Sequence, residues 1–315
     1  NGAVVLQLIK KHYPNAEIEW FCEEVFAPVL QGHPDLKKVH AVPLKRIKKE
    51  KSPALLRTAL KELKASGPFD KIIDMQGLIK SAVVARYIGK ETHGFDSASA
   101  RESLASWFYR TSSNIPYERN VIRRNIDVVA DALGFQVSDE EILAKSPCFA
   151  PQARPDFLAS DRKNIAMVIG ASWPSKEYPQ EKFADLCFAL EGCNCLLIWG
   201  DEKEREYAAH IAERVSNATV APKLSLAELR AVIEHCDLTI GNDTGPTHLA
   251  WAMNRPSITL FGPTNTRMIF ETPTNLACES DSEVDINKIN KQDFSIQAID
   301  VDEIAEKAKR LLALH

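Results

Sequence analysis

The chain has 315 residues, of which 45% are hydrophobic, 26% charged and 8% aromatic. That is an ordinary globular composition, long enough for two domains with cores of their own, and no uncharged apolar run approaches the ~18 residues of a membrane span. The net charge of −4 and the sequence pI of about 6.1 argue against nucleic acid as a partner. The seven cysteines are scattered with no CxxC pair, so they read as free thiols of a reducing compartment rather than as a disulfide frame or zinc site.

Strand and helix alternate along the chain. A strand is expected at 17–21, a short helical segment to about 30, and a second strand at 38–42. Ser52-Pro53 opens a helix to about 65, since serine can cap and proline suits the first turn. A strand at 71–75, a helix at 78–88 and a long helix at 119–133 stopped by Gly134 complete the first half. Three prolines in residues 146–155 mark the domain boundary, giving domains 1–150 and 151–315. The alternation restarts with strands at 165–170, 195–199, 237–241 and 257–261. Helices at 180–190, 202–215, from Ser225, and at 246–253 lie between them. Ser225 and Glu228 form a capping box. The last helix, 302–312, is amphipathic. Asp300-Val301-Asp302 directly before it is better read as a helix cap than as a metal-binding pair. Two runs of βα units imply an α/β fold of two doubly wound parallel sheets, with ligands beyond the carboxyl ends of the strands in a cleft that the two domains face.

Charge divides unevenly. Residues 1–150 hold 22 Lys and Arg against 18 Asp and Glu, whereas the remainder holds 17 against 25. The basic excess concentrates in Lys45, Arg46, Lys48 and Lys49 with Lys51, either a solvated helix or a site for an anionic partner.

Several strand–helix turns carry candidate chemistry. In Gly241-Asn242-Asp243-Thr244-Gly245-Pro246-Thr247-His248, a helix start offers free N–H groups and a positive dipole end to an anion. A plain turn capped by Asp243 or Thr244 is the alternative. Lys176, within Ala171-Ser172-Trp173-Pro174-Ser175-Lys176, either reaches a phosphate or is a surface-loop lysine. Glu204, four residues past Gly200, either accepts ribose hydroxyls or simply favours the helix dipole. Gln76 and Lys80, in Asp74-Met75-Gln76-Gly77-Leu78-Ile79-Lys80-Ser81, sit at another strand–helix turn. Arg101 lies in an irregular stretch, where it either binds a ligand or pairs with an exposed acid. GxGxxG, P-loop, GxSxG and HxxxH patterns are all missing from the sequence, so a metal enzyme is not expected.

Taken together, these residues resemble a known family. Asp243-Thr244-Gly245-Pro246-Thr247-His248-Leu249, followed by Arg255-Pro256-Ser257-Ile258-Thr259-Leu260-Phe261-Gly262-Pro263-Thr264, resembles the ADP-heptose lipopolysaccharide heptosyltransferases. Ile73 to Ala82, His93-Gly94-Phe95-Asp96, Ser99-Ala100-Arg101-Glu102 and Phe108-Tyr109 are similar to the heptosyltransferase I branch. The resemblance implies a GT-B fold and inverting transfer of heptose from ADP-heptose to the Kdo of Kdo-lipid A. It implies a cytoplasmic location with peripheral contact at the inner membrane, and no cofactor or metal. It assigns donor binding to Ala171, Ser172, Lys176, Glu204, Leu224, Asp243, Thr244, Gly245 and His248. Ala171 and Ser172 depart from the commoner Thr-Thr form. Acceptor binding falls to Lys45, Arg46, Lys48, Lys49, Gln76, Lys80 and Arg101. The family's opening strand and Gly-Asp turn, which carries the catalytic aspartate, are expected upstream of Asn1, so no base is named; Asp74 and Asp96 are the next candidates. By the same resemblance the last helix can return to the first domain. Heptosyltransferase II, a nucleotide-sugar epimerase and a non-catalytic nucleotide-sugar binding protein are the rival readings.

Overall fold

The computed structural model describes residues 1–314. The chain forms two compact units, one of Gly2–Cys148 and the other from Phe149 onward with Asn1.

The first unit runs α1 (Val4–His12), β1 (Ile18–Glu23), α2 (Ala27–Leu30), β2 (Leu36–Val42), α3 (Leu44–Glu50), α4 (Pro53–Ala65), β3 (Ile72–Ile73), α5 (Ile79–Ile88), β4 (Thr92–Phe95), β5 (Thr111–Ser113), α6 (Val121–Leu133) and α7 (Asp139–Leu143). A 3-10 turn over Ser103–Phe108 joins β4 to β5. Local chemistry sets the helix ends. Ser52 Oγ accepts the Leu55 amide at 3.3 Å, and the Asn120 side chain accepts those of Ile122 and Arg123. Gly134 closes α6 at φ +77°, in the left-handed region that glycine enters without steric cost. All strand pairs are parallel, but they form two ladders, β1–β2 and β3–β4–β5, rather than one sheet. Gly2 lies against Trp20 of β1 and Met75 just past β3, so the entry to α1 touches both ladders.

The second unit runs β6 (Asn164–Val168), α8 (Gln180–Ala189), β7 (Asn194–Ile198), α9 (Glu202–Arg214), β8 (Ala218–Val220), α10 (Leu226–His235), β9 (Leu238–Asn242), α11 (Gly245–Ala252), β10 (Ser257–Phe261), β11 (Asn275–Glu279) and α12 (Val301–Ala313). Its six strands make one parallel sheet in the order β11-β10-β9-β6-β7-β8, the doubly wound arrangement expected. β6, β7, β9 and β10 are buried along their whole length, as strands covered by helices on both faces must be. α12 stays with this sheet: Ile304, Ala305, Ala308 and Leu311 join the core of β6, β7, β9 and β10. A return of the last helix to the first unit is therefore not what the structure has. Asp300 Oδ1 accepts the Asp302 amide at 3.1 Å, so the Asp-Val-Asp stretch is a helix cap. All seven cysteines are free.

Candidate functional site

The turn after β9 leads into α11, and Pro246 in its first turn has no N–H to satisfy there. Thr244 is the N-cap residue, but its hydroxyl makes no capping bond and lies 3.4 Å from the Asn242 carbonyl. The start of α11 therefore has no side-chain cap. A Cβ on Gly245 would meet no protein atom within 4 Å, so that side of the turn is open.

Asp243 sits beneath this helix start, 3% exposed. Its Oδ2 accepts from Lys176 Nζ at 2.6 Å and from Thr264 Oγ1 at 2.9 Å, and its Oδ1 lies 2.8 Å from His248 Nε2. Because a carboxylate only accepts, the His248 proton belongs on Nε2. Burial works to raise the Asp243 carboxyl, but the bond and charge of His248, followed by those of Lys176, outweigh it and hold the group at about 2. Lys176 is therefore no surface-loop lysine. It is buried at the end of a 3-10 turn (Pro174–Lys176), its ammonium 4.9 Å from the Trp173 ring centre. An ammonium has three donors, so the bond to Asp243 leaves two for an incoming anion. Three buried polar atoms around this cluster, Trp173 Nε1, Ser175 Oγ and His248 Nδ1, have no hydrogen-bond partner in the protein. Ala171 and Ser172 lie in the same loop, half-buried and exposed.

Glu204 belongs to a neighbouring corner of the same sheet. Its Oε2 accepts the Gly200 amide at 2.6 Å, and a Cβ on Gly170 would stand 2.0 Å from its Oε1. The carboxylate thus lies across the ends of β6 and β7, in the space a side chain at position 170 would take. Burial first, then the Asp201 charge, raises its pKa, against the bond from Gly200. Asn242 connects the two corners. Its Nδ2 donates to the carbonyls of Ile169 and Gly170 at 2.8 and 3.3 Å, while its Oδ1 accepts the Tyr178 amide at 3.0 Å. Leu224 packs with Trp199 against the core on one side of the sheet, and Lys223 Nζ rides 4.4 Å over the Trp199 ring. Asn242 and Thr264 lie inside the motif stretches, yet their roles emerge only from the three-dimensional contacts.

In the first unit, Gly77 turns the chain into α5 at φ +63°, and its Cβ position is 3.2 Å from the Arg101 amide. Gln76, Lys80 and Arg101 are thereby brought onto neighbouring segments. The segment around Arg101 is pinned on several sides. Glu102 Oε2 accepts the Ile79 amide at 2.7 Å, and the Glu102 amide donates to the Gly77 carbonyl. The buried Arg124 donates to the Ser99 carbonyl at 2.7 Å while stacking 4.3 Å over Phe95. Gln76, Lys80 and Arg101 are exposed on this frame, and neither Lys80 nor Arg101 makes an ion pair among the described residues. Lys45, Arg46, Lys48 and Lys49 are exposed on or beside α3. Arg46 bridges to Glu24 at 3.2 Å and Glu50 at 4.0 Å, which ties up one of the expected acceptor cations. No hydrogen bond or ion pair among the described residues links α3 to the Arg101 segment.

Both alternative base candidates accept several hydrogen bonds from the protein. Asp74 accepts from the Gln76 amide and from the hydroxyls of Ser81 and Tyr109, all at 2.7–2.8 Å. Asp96 accepts from the Ser99 amide and Asn114, and these bonds outweigh burial and lower its pKa. Both carboxylates hold backbone turns in place.

The family model for "Glycosyltransferase family 9 (heptosyltransferase)" matches residues 56–293. The lipopolysaccharide heptosyltransferase 1 of Campylobacter coli is 36% identical over 98% of this chain and 94% of its own length. That of Escherichia coli K12 is 30% identical over 81% of each. The structure of the E. coli heptosyltransferase WaaC with ADP-2-deoxy-2-fluoro heptose superposes with a TM-score of 0.74 at 25% identity, covering 98% of this chain and 97% of that one. The expected GT-B fold is thus the fold of this chain. By both its sequence and its architecture, the chain belongs to glycosyltransferase family 9, the heptosyltransferases.

Proposed function

We propose that this enzyme moves heptose from ADP-heptose to a Kdo sugar of Kdo-lipid A, in synthesis of the lipopolysaccharide inner core. The observation that carries the reading is the buried Lys176–Asp243–His248 cluster beneath the open start of α11. As a diphosphate leaves a sugar, negative charge grows on it. A pre-oriented ammonium with spare donors and the uncapped positive end of α11 meet that charge without reorganisation. Asp243 fixes the lysine head group and the imidazole, and supplies the counter-charge that a buried cation needs. The reading needs no metal, because these groups supply the positive potential. Glu204 accepts the ribose hydroxyls, Leu224 lines the adenine side, and Ala171, Ser172, Thr244 and Gly245 border the diphosphate and heptose. Lys80, Gln76, Arg101 and the α3 lysines receive the acidic acceptor. The relatives at 30–36% identity bear the type 1 name, which supports a Kdo acceptor over a heptosylated one.

Calorimetry with ADP, GDP and UDP, followed by incubation with ADP-heptose and either Kdo-lipid A or an already heptosylated acceptor, tests this. ADP is expected to bind best and Kdo-lipid A alone to be elongated. Equal binding of the three nucleotides, or transfer only to the heptosylated acceptor, would overturn the assignment.

A further inference from the structure

The loop after β11 brings a further cation to the Lys176 corner of the second unit. β11 is the edge strand of the sheet, with β10 and β9 between it and β6, whose following loop holds Lys176. The chain leaves β11 at Glu279 and returns in a 3-10 turn over Ser295–Ala298. Two side-chain pairs close the base of this loop. Ser280 Oγ lies 2.8 Å from Ser295 Oγ, and Ser282 Oγ donates to Asp293 Oδ2 at 2.6 Å. The buried Ile296 packs on Gly262 past the end of β10, where an added Cβ would stand 2.5 Å from its own. The Ile299 carbonyl accepts from Tyr178 Oη at 3.0 Å and from Lys182 Nζ at 2.8 Å. The returning segment is thereby tied across the carboxyl ends of the strands, and its 3-10 turn lies against that of Pro174–Lys176.

Lys291, on this loop, comes to Trp173. Its Nζ is 5.3 Å from the ring centre, and that of Lys176 is 4.9 Å from the same centre. The two ammonium groups differ in what neutralises them. Lys176 has Asp243. Lys291 is exposed and makes no ion pair among the described residues. Asp293, two residues on, is already engaged, with Ser282 donating to one oxygen and the Ser295 amide to the other at 2.9 Å.

An indole face attracts a cation, but only weakly where water reaches it, and two like charges at one ring repel each other. The arrangement therefore leaves one positive charge uncompensated next to two buried donors without a partner, Trp173 Nε1 and Ser175 Oγ. An anion with several oxygens is the chemistry that suits such a group. On the reading of this unit as the ADP-heptose site, we propose that Lys291 is a second cation for the donor diphosphate. Lys176 is fixed in the interior before ligand arrives. Lys291 reaches the bound phosphates from the solvent side, on a loop whose base is pinned and whose ammonium is not.

The test is calorimetry of the full chain with ADP at several salt concentrations, for the wild type, Lys291→Met, Lys291→Arg and, on the same loop, Lys288→Met. Methionine keeps an unbranched chain over Trp173 and removes only the charge. Lys291→Met is expected to weaken ADP binding by about fivefold, the upper worth of an exposed ion pair, and to make it less sensitive to salt. Lys291→Arg should bind within about twofold of wild type, and Lys288→Met should match wild type. Equal affinity in the wild type and Lys291→Met overturns the proposal. So do equal losses in Lys291→Met and Lys291→Arg, which would mean packing rather than charge, and equal losses at 288 and 291, which would mean a diffuse field rather than a contact. A wild type that does not bind ADP overturns the donor-site reading itself, and Lys291 with it.

Discussion

The two units handle their functional charges in opposite ways. In the second, Lys176 and Asp243 are both under 10% exposed and hydrogen-bonded to each other. In the first, Arg101 and Lys80 are exposed and make no ion pair among the described residues, on a turn whose backbone is firmly pinned. A buried charge needs a resident counter-charge, so the protein must carry it whether or not ligand is bound. Exposed cations need none, and water solvates them until an anion arrives. Mutations of the buried pair in the second unit should therefore change both folding and binding, and those of the exposed cations in the first unit should change binding alone.

The sharpest way to break this contrast is Asp243→Ala, which strands Lys176 in the interior. We expect a loss of about 3–5 kcal/mol in stability, read by urea unfolding; a loss below about 1 kcal/mol would mean that Lys176 is solvated after all. The same pair sets an acid limit. With its folded pKa held at about 2, below the ordinary carboxylate range, Asp243 contributes stability that is complete above about pH 5 and is lost as pH falls through the folded value. The acid unfolding curve of the wild type should bend in that window, and that of Asp243→Asn should not.

Lys176→Ala removes the buried cation instead, and ADP affinity should fall by about 1.5–3 kcal/mol, roughly 10–100-fold. Unchanged calorimetric affinity would detach Lys176 from the diphosphate. Gly170→Ala sharpens the picture at the other corner. The new methyl occupies the place of the Glu204 carboxylate, so Glu204 must swing away, and because the clash is with the end of a flexible side chain, stability should change by less than about 1 kcal/mol. Affinity for ADP should fall more than affinity for inorganic pyrophosphate, which has no ribose. The smallest structural effect belongs to Arg101→Ala: melting within about 0.5 kcal/mol of wild type, ADP affinity intact, and a raised KM for the acceptor. A variant impaired only toward ADP-heptose would reverse the division of labour between the units.

Much of this was legible in the chain. β6, β7, β9 and β10 read as strands because burial on both faces demands a continuous apolar run. Ser52, Ser225 and Asp300 read as caps because their chemistry is local. The shorter strands β4, β5, β8 and β11 did not announce themselves. Thr92-His93-Gly94-Phe95, for example, is polar enough to pass for loop. Its His93 is stable in the interior because Thr111 and Ser113, on the next strand, take both ring nitrogens at 2.9 Å. Such strands exist through their neighbours.

The same holds for the site. Residue types and spacing alone mark Asp243, His248 and Lys176 as candidates, since a strand running into a glycine-bearing helix start exposes free amides wherever it occurs. Whether Lys176 is buried, and what Asp243 does, depends on contacts across 67 residues to Lys176 and 21 to Thr264. Glu204 looks like any early-helix glutamate until the fold sets it against Gly170, and Asp74 looks like a base until Tyr109, 35 residues on, donates to it. Local sequence determines which groups can form an element, cap it or carry charge. Only the tertiary structure decides which of those charges lose their water, and desolvation is what turns a lysine and an aspartate into one fixed pair.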